Sequence, residues 1–159
     1  MPALPYRPRC TDCLEGIAFS RGLLADVAAR PLPEWWRRSL VSTLLWVQTE
    51  GPTASTRGPG RIHKLYEVPF RTPEAQAEGG GEQDHVVRLA PAIDRVLADP
   101  VHCLAVAEEL VACIVTTEQH KKLNSTPGNG WDRYSDARIA VLDARRLPGE
   151  PEYGKVPPQ

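Results

Sequence analysis

The sequence predicts an α+β fold, one helix-dominated domain with a small sheet, and three observations predict it. The chain has 159 residues, the size of one domain. Apolar residues recur at helical spacing through four segments. Between those segments lie short runs rich in β-branched residues, each too brief for a helix. The hydrophobic share of 42% is ordinary for a globular chain, so a core can form without disulfides. The domain is expected over residues 1–147, with a Pro-rich, disordered tail over 148–159.

Residues 1–10 are Pro-rich and expected to be extended. Leu14, Ile17, Ala18, Leu24, Val27 and Ala28 place a helix over 12–30, which Pro31 and Pro33 end. Pro33 fits the first position of the next helix, and Glu34 favours its positive end. That helix, to Thr49, is expected at the centre of the core, with Trp35 and Trp36 packed inward. Residues 51–60 read as a loop, and 62–70 as a strand. Gly79, Gly80 and Gly81 mark 74–82 as a flexible connection before a strand at 84–87. Pro91 opens a helix, and Asp99-Pro100 reads as the N-cap and first turn of another, to about Ala112. After Cys113-Ile114-Val115, Thr116 and Gln119 form a capping-box pattern that starts a helix over 117–124. One or two helical turns follow over 131–137, then a strand over 138–143. The sheet is therefore expected from parts of 61–69, 84–88, 113–116 and 138–143.

A net charge of −1 gives no global field toward nucleic acid or anionic membrane. No apolar run approaches the roughly 20 residues of a membrane span, and the first residues lack the apolar core of a secretion signal. A cytoplasmic setting is expected, where four cysteines mean thiols or metal ligands. Gly-x-Ser-x-Gly, dinucleotide, Walker and His-Glu-x-x-His patterns are absent, which removes those enzyme classes.

The main chemical candidates are Asp84, His85, His120 and Asn124. A carboxylate is a hard ligand for a divalent cation, and an adjacent imidazole can take a proton from water. His120 and Asn124, one turn apart, share a helix face. A cation held there would leave open positions for a phosphate oxygen and a water, as metal-assisted phosphodiester hydrolysis requires.

Asp84-His85-Val86-Val87, followed by a helix with His120-x-x-x-Asn124, resembles the His-Asn-His (ββα-metal) endonucleases over residues 84–124. The resemblance implies His85 as general base, Asp84, His120 and Asn124 as ligands of Mg, Mn or Zn, and Lys121 and Lys122 as contacts to a nucleic-acid backbone. The interval from His85 to His120 reads as two helices, and no middle Asn of the family pattern is found.

Cys10 and Cys13, two residues between them, are half of a structural zinc site that His63 or His102 would have to complete. Cys103 and Cys113 read as buried small hydrophobes. Arg57, Arg61, His63 and Lys64 form a basic cluster beside a Gly/Pro loop and read as solvated. The expected function is thus a divalent-metal-dependent nuclease or a degenerate relative, with nucleic acid as partner. The rivals are a non-catalytic interaction or regulatory protein with a protein partner, and a small zinc-stabilised binding module.

Overall fold

The computed structural model describes Tyr6, Arg9, residues 11–50, Leu65 and residues 67–145. In chain order the elements are α1 (Thr11–Ala29), α2 (Glu34–Glu50), β1 (Phe70–Arg71), α3 (Pro73–Glu78), β2 (Glu82–His85), α4 (Leu89–Ala98), a 3-10 turn (Pro100–His102), α5 (Cys103–Glu109), β3 (Ala112–Val115), α6 (Thr117–Ser125), α7 (Gly130–Asp136) and β4 (Leu142–Asp143). This is the expected helix-dominated α+β architecture.

Two packed bodies share the domain. Helices α1, α2, α4 and α5 bury Leu24, Ala28, Val41, Leu45, Ile93, Val96 and Val106 against one another. The sheet has order β2-β3-β1-β4, with β3 parallel to β1 and antiparallel to β2. All four residues of β3 are buried, as an apolar central strand should be. Because side chains alternate along a strand, the two faces of β3 are distinct. Cys113 and Val115 pack with Leu123 of α6 and Tyr134 of α7. Ala112 and Ile114 pack with Val68, Ala75 of α3 and Leu65.

Several sequence expectations change. The strand expected over 62–70 begins at Phe70, and Leu65 and Glu67 are helical. Pro69 has no N–H for a ladder and contributes only its carbonyl, which accepts from Ala144 N at 2.8 Å. The connection expected over 74–82 contains α3. Thr72 caps that helix by accepting from Ala75 N, Pro73 takes its first turn, and Gly79 ends it at φ 73°. Finally, Trp35 and Trp36 are 70% and 49% exposed, not core. The buried stripe of α2 runs through Val41, Leu45, Gln48 and Thr49. At roughly 100° per residue, Trp35 and Leu40 lie about a quarter to a third of a turn off that stripe, and Trp36 nearly half a turn.

Asp99 takes the expected N-cap position, with Pro100 in the turn that follows. Its carboxylate makes no cap bond and instead accepts from His102 Nδ1 at 2.6 Å. The strand expected over 138–143 contracts to Leu142–Asp143. Residues 1–5, 51–64 and 148–159 lie outside the described residues, and with them the expected N-terminal segment, the 51–60 loop, the basic cluster at 57–64 and the C-terminal tail.

Candidate functional site

Helix α6 is fixed at both ends. Its N-terminus carries the full capping box, with Gln119 N donating to Thr116 Oγ1 and Thr116 N donating to Gln119 Oε1. Gln119 also accepts from Thr72 Oγ1 at 2.7 Å, which ties α6 to the start of α3. At the C-terminus, Arg88 Nη2 donates to the carbonyl of Thr126 at 2.8 Å and Arg133 Nη1 to that of Leu123 at 3.4 Å. These bonds satisfy carbonyls that a helix end leaves without partners. They hold His120 and Asn124 over the edge strand β2.

On β2 the pleat places Glu82 and Asp84 on one face, opposite Val115 and Cys113 of β3. That face meets α6 and α7. His120 lies between the two carboxylates: its Nδ1 is 2.7 Å from Glu82 Oε2 and its Nε2 is 3.6 Å from Asp84 Oδ1. With Nδ1–H given to Glu82, the ring is held in one orientation and Nε2 is turned to Asp84. Asp84 is buried, and its Oδ2 accepts from Arg133 Nη2 at 2.5 Å and from Tyr134 Oη at 2.7 Å. Burial pushes the Tyr134 hydroxyl well above its ordinary pKa, and the neighbouring Asp84 carboxylate acts the same way. It therefore stays a hydrogen-bond donor.

His85 leaves the other face of the strand, where its register partner is Ala112. Its Nε2 is 2.9 Å from Thr49 Oγ1 at the end of α2. The Thr49 hydroxyl has one hydrogen and also contacts the Trp46 carbonyl at 3.1 Å, which can only accept. Both contacts are satisfied if Thr49 donates to Trp46 and accepts from a protonated His85 Nε2. The peptide of His85 faces the other way, its carbonyl accepting from Arg133 Nη2 at 2.7 Å.

Asp84, His85, Arg88, Leu89, His120, Asn124 and Arg133 line one cleft of about 250 Å³. The structure thus brings Asp84, His120 and Asn124 together, while the His85 imidazole is turned to Thr49. Lys121 and Lys122 are exposed on α6 outside that lining, and Lys121 pairs with Glu118 at 3.0 Å. Cys13 is buried in α1, and Cys10 and His63 lie outside the described residues. Cys103 and Cys113 are buried as expected, and burial pushes both thiols up in pKa.

Among the described residues, no three His, Cys, Asp or Glu side chains are grouped to hold a metal ion. A pair does have suitable spacing. Two ligands on one tetrahedral ion at about 2.1 Å lie about 3.4 Å apart, close to the 3.6 Å between Asp84 Oδ1 and His120 Nε2. Glu82 behind the imidazole is the carboxylate that ligand histidines usually carry. Against this, Arg133 already neutralises Asp84. The pair fits a weakly held cation better than a structural one.

Sequence reasoning missed Glu82, Arg88, Arg133, Tyr134 and Thr49. Glu82 was accessible, since period two puts it beside Asp84 on the strand. Arg133 and Tyr134 arrive from 49 and 50 residues further along, which no local pattern records. Comparison of the chain with family models, curated proteins and solved structures finds no match.

Proposed function

We propose that the cleft binds and hydrolyses a phosphodiester of nucleic acid, with a divalent cation held by Asp84 and His120. The observation that carries this reading is the approach of Asp84 Oδ1 and His120 Nε2 to 3.6 Å, with Glu82 behind the imidazole. Two hydrogen-bond acceptors facing each other at that distance can share a cation. A cation there would act as a Lewis acid on a phosphate oxygen. Asn124, one turn from His120 in the same lining, supplies an amide to a ligand. Arg88 adds positive charge to the wall against which phosphate would rest. The setting proposed is cytoplasmic, which suits Cys103 and Cys113 as thiols. No helix among the described residues is long and apolar enough to cross a membrane.

One observation favours a second reading, a non-catalytic binding protein: Arg133 and Tyr134 already occupy Asp84 Oδ2. Incubation with supercoiled plasmid and with RNA, in Mg²⁺, in Mn²⁺ and in chelator, separates the two. Hydrolysis that depends on metal and falls by about 10²-fold or more in His120→Ala supports the nuclease. His85→Ala, measured beside it, tells which imidazole handles the proton. Intact plasmid and RNA under every condition would leave the binding protein as the better account.

A further inference from the structure

A second concavity, of about 400 Å³, lies at the same end of the sheet as the cleft. Its lining includes Arg9, Arg21, Gln48, Thr49, Glu67 and Arg145. The two hollows adjoin, since Thr49 lines this one and its hydroxyl meets His85, which lines the other.

Two guanidinium groups converge here on one neutral residue. Arg9 Nη1 donates to the Gln48 carbonyl and Arg21 Nε to Gln48 Oε1, each at 2.8 Å. Arg9 Nη2 also donates to the Thr49 carbonyl at 2.8 Å. Like charges brought together in a half-buried place repel, and the repulsion is relieved by an anion. Among the described residues the lining holds one carboxylate, Glu67, while Asp143 is paired with Arg145 at 2.5 Å. Among the described side chains, three arginines against two carboxylates leave one positive charge in excess. Burial opposes the charge on Arg9 and lowers its pKa, while Glu67 favours that charge and the neighbouring Arg21 opposes it. Neither terminal nitrogen of Arg21 has a hydrogen-bond partner among the described residues, so a fork of donors is presented to a ligand.

We propose that this pocket holds one phosphodiester group of a single nucleic-acid strand whose neighbouring nucleotide enters the adjoining cleft. A phosphodiester carries a single negative charge, which matches the excess, and arginine is the side chain best shaped for its oxygens. The assignment of the strand rests on the function proposed for the cleft, whereas the anion site rests on the arginines alone.

The test follows the Arg21 Nε–H resonance in the full chain as inorganic phosphate, and separately a short single-stranded oligonucleotide, is added. Oligonucleotide affinity is measured against salt for wild type, Arg21→Gln, Arg145→Gln and His120→Ala. The expected result is a shift of Arg21 Nε–H by the oligonucleotide at concentrations far below those needed with phosphate. In Arg21→Gln the slope of log affinity against log salt should fall by about 0.7, one phosphate contact on a single strand. Arg145→Gln should weaken binding in the same direction, and His120→Ala, in the adjoining cleft, should leave the Arg21 Nε–H shift in place. A shift by phosphate alone overturns the assignment to nucleic acid. An unmoved resonance, or a salt slope unchanged in Arg21→Gln, overturns the site altogether. If Arg21-dependent binding is found but no strand is cleaved, the hydrolytic reading of the cleft fails and the pocket stands.

Discussion

Arg133 and Asp84 form an ion pair at 2.5 Å with side chains 2% and 4% exposed. The same guanidinium bonds the His85 and Leu123 carbonyls, so it joins β2 to α6 from its place on α7. Removing one member of a buried pair leaves the other charged and without compensation. Arg133→Met is therefore expected to lower stability by about 3–5 kcal/mol in urea unfolding. Adding Asp84→Asn should recover a good part of that loss. A cost below about 1 kcal/mol would mean that water or another cation replaces Arg133.

What the sequence disclosed, and what it did not, follows the range of each interaction. Helix α6 was legible because its capping box lies within four residues, and the His120–Asn124 spacing came with it. Helix α3 was not, because Gly79 to Gly81 were read by composition as a linker. Trp35 and Trp36 were misplaced because α2 is apolar over more of its surface than its partners cover. Asp84 and His85 were read as one unit, although the pleat sends neighbouring side chains to opposite faces. Arg133, the partner that decides the state of Asp84, is a tertiary neighbour and left no local trace.

The glycine run makes a sharp prediction of its own. A Cβ on Gly81 would lie 2.2 Å from the backbone oxygen of Val115, so β2 and β3 could pair there only by moving apart. On Gly80 the nearest atom is Leu65 Cδ1 at 3.9 Å, an ordinary contact. Gly81→Ala is expected to cost about 1–3 kcal/mol, and Gly80→Ala to leave the urea midpoint nearly unchanged. Glu82 follows Gly81 directly, so the first variant should also disturb the His120 contact. Equal effects at the two positions would refute the close approach.

The exposed tryptophans can be separated from the core in one pair of variants. Trp35→Ala should change stability by no more than about 0.5 kcal/mol, the usual range for a surface site. Val41→Ala, at a residue with no exposure, should cost about 1–3 kcal/mol by opening a cavity. Acrylamide should also quench a large part of the native fluorescence through Trp35. A Trp35→Ala loss as large as that of Val41→Ala would place the ring under cover.

The last prediction concerns alkaline pH, where the floor beneath the cleft is vulnerable. Cys113 and Tyr134 are buried side by side, and burial raises the pKa of each above its ordinary 9.0 or 10.0. In the folded chain both keep their protons at pH values where the unfolded chain releases them. Their contribution is thus fully present below pH 9, the ordinary thiol value, and declines as pH climbs beyond it. The urea midpoint should hold through neutral pH and drop steadily above about pH 9. Tyr134→Phe removes one of the two protons from this balance. It should cost about 1 kcal/mol at neutral pH by losing the bond to Asp84, yet fall less steeply in alkali. Parallel alkaline limbs for wild type and Tyr134→Phe would show that the hydroxyl does not take part in the decline.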